Sequence, residues 1–282
     1  MEEYIKKAKV LLEALPYIQK FASKTFVIKF GGSIASDTGL KESFIKDVIL
    51  LKLIGINIII VHGGGKDIDY FLKKLNIDIN FHDGYRLTDE KTMEVVEMVL
   101  SGKINKDLVA SINKFGGRAC GLSGKDGNLI TAKKFKAAKV DLGFVGEVQN
   151  VDKKILLALD PLFIPVIAPV SMDGEGNTLN INADIAAAAV AAELEAEKLI
   201  ILSDRDGLLN FNNELIPSVK TADIKNMIKE GVIYGGMIPK ANSCADAVKR
   251  GVKKVHIING SIPHAVLLEI FTKKGIGTQI TN

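Results

Sequence analysis

The chain alternates short, almost continuously apolar runs with longer stretches whose apolar positions recur at helical spacing. FVIKF (26–30) and INIIIV (56–61) are of the first kind and read as strands buried on both faces. KESFIKDVILLKLIG (41–55), between them, reads as an amphipathic helix closed by Gly55. Strand, helix and strand in that order make a βαβ unit, which implies a parallel sheet covered on both faces, with ligands at the carboxyl ends of its strands.

The pattern continues with a helical block over 89–115, capped by Thr88 with Asp89 and Glu90 in its first turn. RACGLSG (118–124) and NLITAKK (128–134) are short strand candidates, GFVGEVQNVD (143–152) reads as a hairpin, and FIPVIAPV (163–170) as a core strand. ADIAAAAVAAELEAE (183–197) predicts a helix whose small side chains let it lie close to a sheet. LIILSD (199–204), a helix over 239–250, VHIIN (255–259) and a helix over 263–272 complete the series. No repeat or long flexible linker interrupts it, so any lobes should share one continuous sheet. Residues 2–15 put Ile5, Ala8, Leu11, Leu12 and Leu15 on one helical face. That face either packs on its own domain or forms an arm that docks on another subunit.

At 282 residues the chain can bury a substantial core as one large α/β domain or two lobes. Its formal net charge is only +4, with basic residues spread along the chain, so no nucleic-acid-binding arm is indicated. Cys120 and Cys244 are far apart and fit a reducing compartment without a disulfide framework. His62, His82, His256 and His264 form no HExxH-like pair, so no protein-built metal site is expected. The N-terminus lacks the apolar core of a signal peptide and no run of 18 apolar residues occurs, so a cytoplasmic protein without membrane contact is expected.

Chemistry enters at the strand ends. Neither GxxxxGK[ST] nor a complete GxGxxG after a strand is present, which excludes the ordinary P-loop and dinucleotide readings. Lys29 stands inside an apolar strand; it is either an edge lysine that snorkels to water or a buried cation that needs an anion. Gly63, Gly64 and Gly65 end a strand and lead into a helix near Lys66, a tight turn or a cradle for an anion. Arg86 can fork onto a carboxylate or lie on the surface. Asn180, Asn182 and Asp184 open the Ala-rich helix, more polar groups than one cap requires. Lys240 follows Pro239, read as the first residue of a helix, where a cation opposes the macrodipole unless an anion relieves it.

In order along the chain, KFGGS (29–33), VHGGG (61–65), DGYRLT (83–88), GLSGKDG (121–127), NINAD (180–184), SDRDG (203–207) and GGMIPK (235–240) resemble the motifs of the amino-acid kinase family, most closely its N-acetylglutamate kinase branch. Each is weak alone; their joint order over nearly the whole chain is specific. The resemblance implies an α/β fold, a three-layer αβα sandwich with a mainly parallel central sheet, carbamate kinase-like, plus an N-terminal helix. It divides the chain into an oligomerisation helix (1–24), an acceptor-binding lobe (25–197) and a nucleotide-binding lobe (198–282).

The activity implied is ATP-dependent phosphorylation of the side-chain carboxylate of N-acetyl-L-glutamate, giving N-acetylglutamyl 5-phosphate in arginine biosynthesis, with Mg2+ carried by the nucleotide. By the same resemblance Gly64, Gly65, Arg86 and Asn180 bind the acceptor. Lys29 and Lys240 stabilise the transition state and Asp184 holds both lysines. Gly31, Gly32, Asp204, Gly236 and Lys240 serve the nucleotide. Lys66 stands where relatives commonly have Pro, and Arg205 where Val is common. The N-terminal helix and HIINGSIPHAVLLEIFTKKGIGT (256–278) resemble the arginine-inhibited members, which form hexamers as trimers of dimers; Tyr17, His256, Glu269 and Gly275 are the implied L-arginine contacts. Two alternatives stand beside this reading: a related kinase acting on carrier-bound aminoadipate or glutamate, and a catalytically silent sensor of arginine or nucleotide.

Overall fold

The computed structural model describes residues 1–82, 84–136 and 140–282, with the side chains of Lys7, Ser33 and Ser36 excepted. Asp83, the first residue of DGYRLT, lies outside the described residues. Helix α1 (Glu2–Phe21) leads into strand β1 (Thr25–Phe30); α2 (Ser33–Ser36) and α3 (Thr38–Leu53) then cross to β2 (Asn57–His62). Next come α4 (Gly65–Lys74), the short strands β3 (Phe81–His82) and β4 (Tyr85–Arg86), α5 (Glu90–Glu97), a π-helical segment Met98–Ile104, and α6 (Asn105–Lys114). The middle of the chain forms β5 (Ala119–Ser123), β6 (Ile130–Lys134), β7 (Gly146–Val151), α7 (Lys154–Ala158), β8 (Ile164–Ala168), β9 (Val170–Met172), β10 (Thr178–Asn180) and α8 (Ala183–Glu193). The rest forms β11 (Lys198–Ser203), β12 (Ser218–Lys220), α9 (Ile224–Lys229), α10 (Met237–Lys249), β13 (Lys254–Asn259), α11 (Ala265–Phe271) and β14 (Thr278–Thr281).

Eight strands make one continuous sheet in the order β12-β14-β13-β11-β1-β2-β8-β5. Among the paired strands of this sheet only β13 and β14 run antiparallel. A second sheet, β10-β9-β6-β7, carries Asn180 at one end. Residues before Lys198 therefore supply one half of the main sheet, and those from Lys198 onward the other.

Strand parity explains the layers. Phe26, Ile28, Phe30, Ile58, Ile60, Ile200 and Leu202 point to one face, where they meet Phe44, Val48 and Leu51 of α3, Leu108 and Ile112 of α6, and Val266 and Ile270 of α11. Val27, Ile59, Val61, Leu199, Ile201, Val255 and Ile257 point to the other, against α8 and α10. This is the expected αβα sandwich. Ala186, Ala187, Ala188, Ala189, Ala191 and Ala192 are all buried, and their short side chains let α8 lie against the middle of the sheet. Lys29 shares the parity of Val27, so its side chain leaves the sheet on the α8 side, at the carboxyl end of β1.

Four local expectations are corrected. GFVGEVQNVD does not fold on itself: it holds the single strand β7, which pairs antiparallel with β6. Asp89, not Thr88, caps α5, its carboxylate accepting the Thr92 N–H at 2.8 Å; the Thr88 hydroxyl turns back to donate to the Arg86 carbonyl. Helix α10 begins at Met237, so Pro239 is its third residue, still within the first turn where a missing N–H costs nothing. The N-terminal helix extends to Phe21 through Pro16, and Ile5, Leu11, Leu12 and Leu15 are exposed, with only its end anchored by Tyr17 against Phe271 and Phe21 against Phe26. Among the described residues no helix is long and apolar enough to cross a membrane.

The close approach of α8 makes a stability test. Ala187→Leu adds volume where none is free and should destabilise the fold by about 1–3 kcal/mol, read from the urea midpoint; an unchanged midpoint would contradict the packing described.

Candidate active site

The site is centred on one carboxylate. Asn182 caps α8, its side-chain oxygen accepting the Asp184 N–H at 2.8 Å and the Ile185 N–H at 3.4 Å. That leaves the Asp184 side chain free to project from the first turn. Its Oδ1 lies 3.0 Å from Lys29 Nζ and its Oδ2 2.5 Å from Lys240 Nζ, with all three side chains 13–16 % exposed. The two oddities of the sequence share one answer: the anion that the strand lysine needs and the anion that relieves the helix-start lysine are the same Asp184. Burial pushes its pKa up, but the two ammonium groups outweigh this and hold the carboxyl at about 2.

Two cavities flank this ion-paired cluster. The first, about 230 Å3, is lined by Lys29, Gly32, Gly63 to Gly65, Arg86, Asn180 and Asp184 among others. It is below the roughly 300–1,000 Å3 of pockets for drug-sized ligands, so its occupant must be small. Arg86 Nη2 pairs with Asp69 at 2.7 Å and the guanidinium stacks on the Phe81 ring at 4.7 Å, while Nη1 is buried with no partner among the described residues. A guanidinium in the wall of this cavity is of the type that can pair with a carboxylate. Asn180 donates to the Thr88 hydroxyl at 3.2 Å. The Gly64 and Gly65 N–H groups, at the start of α4, find no acceptor among the described residues. A Cβ on Gly64 would overlap the tips of Leu100 and Ile104 of the π-helical segment, which would have to shift.

The second cavity, about 490 Å3, is lined by Asp204, Arg205, Gly207, Phe211, Tyr234, Gly235, Gly236 and Lys240 among others. Lys240 thus belongs to this cavity and Lys29 to the first, with Asp184 joining them. Of the glycines expected beside the nucleotide, Gly32 lines the first cavity, while Gly31 lines neither and packs against Gly63. Lys66 and Arg205, the two departures in sequence, are both exposed. Among the described residues no group of three or more His, Cys, Asp or Glu is placed to hold a metal ion.

Some functional side chains were not singled out from sequence. Asp69 orients Arg86 from α4, four residues past Gly65; an acid at that spacing on the same helical face is the only signal. Lys125 of GLSGKDG bridges Glu97 of α5 at 2.8 Å and Thr178 of β10 at 3.0 Å, tying α5 to the strand that carries Asn180.

A third cavity, also about 490 Å3, lies away from these and brings together Tyr17, His256, Glu269 and Gly275 with Lys198 and Lys254. Glu269 is held by His256 Nδ1 at 2.6 Å and by the N–H groups of Ile276 and Gly277 at 2.7 and 3.2 Å. His256 Nε2 faces Lys198 Nζ at 2.8 Å, and burial pushes the pKa of Lys198 down to about 8.

Residues 24–259 match the amino acid kinase family. The chain belongs to that family. It is 53 % identical to a protein named acetylglutamate kinase from Carboxydothermus hydrogenoformans and 50 % identical to one from Sulfurihydrogenibium sp., each over the full length of both chains. A third of that name, from Acinetobacter baumannii, is 52 % identical over 99 % of this chain and 95 % of its own. Among solved structures, N-acetylglutamate synthase from Neisseria gonorrhoeae, complexed with coenzyme A and N-acetyl-glutamate, superposes with a TM-score of 0.86 at 26 % identity; the match covers 96 % of this chain and 62 % of that longer one. Carbamate kinase from Giardia lamblia bound to AMP-PNP superposes with a TM-score of 0.65 at 16 % identity, a likeness of fold alone.

The depressed pKa of Asp184 fixes a pH dependence. Its value of about 2 in the fold lies below the 3.8 of an open carboxyl, so the unfolded chain binds the proton first as the pH falls. The stabilisation is intact above about pH 4 and is lost as the pH drops toward 2, a loss of about 2 kcal/mol. Asp184→Asn should therefore be less stable than the parent near neutrality, with the gap narrowing between about pH 4 and 2 in urea unfolding; a gap independent of pH would show that the ion pairs contribute nothing.

Proposed function

We propose that the protein transfers the γ-phosphoryl group of MgATP to the side-chain carboxylate of N-acetyl-L-glutamate, the acylphosphate-forming step that serves arginine biosynthesis. The observation that carries this reading is that Lys29 lines one cavity and Lys240 the other while both ammonium groups are paired to the same Asp184. In this reading residues 25–197 bind the acceptor and residues 198–282 the nucleotide. Arg86, Asn180, Gly64 and Gly65 hold the acceptor. Asp204, Gly236 and Lys240 face the nucleotide, with Gly31 and Gly32 supporting the loop between them.

The chemistry needs no general base. A side-chain carboxylate with a solution pKa of about 4.3 is already ionised at neutral pH. Its oxygen forms the new bond to the γ-phosphorus as the bond to the bridging oxygen of ADP breaks, and no proton moves. The obstacle is repulsion between two anions, which is met by positioning and fixed positive charge. One ammonium about 4 Å from the transferring group is worth at most about 4 kcal/mol at an effective dielectric near 20, about three decades of rate. Mg2+ enters on the triphosphate and adds positive charge there. Asp184 keeps both lysines aimed at the junction without neutralising either.

The third cavity supports a second site on the same protein: an effector pocket for L-arginine, contacted by Tyr17, His256, Glu269 and Gly275. The exposed apolar face of α1 supports association of dimers into a hexamer through that helix. The two free cysteines suit the cytoplasm. A related kinase on a carrier-bound acceptor fits less well, because relatives at 50 % and 53 % identity over the full chain carry the name acetylglutamate kinase. A silent sensor has no use for two lysines aimed at one junction.

Lys29→Ala and Lys240→Ala should each lower kcat by about 10²-fold or more with the fold retained; near-parental turnover in either removes that lysine from the mechanism. Arg86→Ala should chiefly raise the KM for N-acetylglutamate, and an unchanged KM would end its role in acceptor binding. L-arginine should lower turnover and raise the melting temperature. If it does neither, the effector pocket is rejected while the kinase reading stands.

A further inference from the structure

The first histidine of VHGGG has no role in the reaction as described, yet it is fully buried directly beside the glycine loop. His62 ends β2 with 0 % of its surface exposed; Nδ1 lies 3.1 Å from the Gly63 carbonyl oxygen and Nε2 lies 3.2 Å from Nδ2 of the equally buried Asn105. The orientation of Asn105 follows from its other neighbours. Its Nδ2 also faces the carbonyl oxygens of Val166 at 2.8 Å and Leu122 at 3.2 Å, which only an N–H can satisfy, and its Oδ1 accepts from Lys106 Nζ at 3.2 Å. The Gly63 carbonyl oxygen can only accept, so Nδ1 carries the proton, and Nε2, which faces the donor-only Nδ2 of Asn105, is the unprotonated nitrogen of the neutral ring. The proton sits on Nδ1 and is donated to Gly63. Burial pushes the pKa of His62 down to about 4, so this neutral tautomer holds at working pH.

That hydrogen bond fixes a peptide plane. The Gly63 carbonyl is held by His62, and the Gly63 N–H is held by the Phe30 carbonyl at 2.7 Å. In a trans peptide the N–H leaves on the side opposite the C=O, so the Gly64 N–H is turned away from the histidine. There Gly63, Gly64 and Gly65 line the first cavity beside Lys29. The support behind the ring is itself tightly specified: a Cβ on Gly121, the first glycine of GLSGKDG, would overlap the Asn105 side chain. Asn105 stands at the first position after the π-helical segment, whose Leu100 and Ile104 press on Gly64.

We infer that His62 is a positioning residue for phosphoryl transfer, holding the Gly63–Gly64 peptide so that the Gly64 N–H is presented to the transferring group, with Asn105 and Gly121 holding the ring in that tautomer. The inference rests on the kinase reading above. A donor fixed in advance stabilises charge as it develops and needs no reorganisation during the step. Its loss should therefore appear in kcat more than in acceptor KM.

Three substitutions test it in the full-length protein by steady-state kinetics with N-acetylglutamate and MgATP. Asn places its amide nitrogen near the position of Nδ1, Gln places its amide near Nε2, and Leu supplies neither. His62→Leu and His62→Gln should lose about 10-fold or more in kcat with the KM for N-acetylglutamate within about twofold. His62→Asn should stay within about threefold of the parent kcat. A Leu variant with near-parental kcat, or rescue by Gln rather than Asn, overturns the inference, since the second pattern would show that only the link to Asn105 matters. If the Leu variant does not fold, the comparison of Asn with Gln still decides. Failure of the parent enzyme to consume ATP in response to N-acetylglutamate would instead refute the kinase reading, and so is distinguishable.

Discussion

A carboxylate held between two ammonium groups is the constraint from which the rest of this structure can be understood. Asp184 is nearly buried and would be costly there alone, and so would either lysine. Together they form a unit whose geometry is over-determined. Lys29 comes from the carboxyl end of a central strand, Asp184 from the first turn of α8, and Lys240 from the first turn of α10. Each position is set by a large element of the fold. The Ala-rich face of α8 brings Asp184 down to the sheet, strand parity sends Lys29 to the same side, and the continuous eight-stranded sheet fixes the two halves of the chain relative to one another. The charge pattern is thereby as rigid as the core beneath it.

Around that unit the chain arranges donors by fixing their partners. Arg86 has one arm occupied by Asp69 and its plane stacked on Phe81, which fixes the guanidinium in the wall of the first cavity. The glycine loop is held from behind by His62 and Phe30, and the N–H groups of Gly64 and Gly65 have no acceptor among the described residues. In both cases the protein has met the cost of ordering the group before a ligand arrives, which is how positioning becomes rate.

Much of this was legible in sequence, and for physical reasons. A lysine in an apolar strand and a lysine at a helix start are each anomalous, and NINAD offered more polar groups than a cap could use. Buried charge without a partner is expensive, so each lysine pointed to an anion, while the family resemblance named Asp184 as the one that holds both. Asn182 proved to be the cap, Asn180 the neighbour of Thr88, and Asp184 the shared anion. The αβα layering was equally readable from apolar runs and helical periods. What could not be read depends on tertiary neighbours. Whether Thr88 or Asp89 caps α5 depends on which residue the helix starts after, and GFVGEVQNVD looks like a hairpin until β6 is available to pair with it. The partners of Arg86 and His62 lie on other elements, at separations in sequence that no local pattern encodes.

The most direct test of the central claim is a crystal structure of the protein trapped with MgADP, tetrafluoroaluminate and N-acetylglutamate. The account predicts that Lys29 Nζ and Lys240 Nζ both lie within hydrogen-bonding distance, about 3 Å, of the planar group that mimics the transferring phosphoryl, each still braced by Asp184. A complex in which either ammonium remains on Asp184 alone, with no contact to that group, would contradict it.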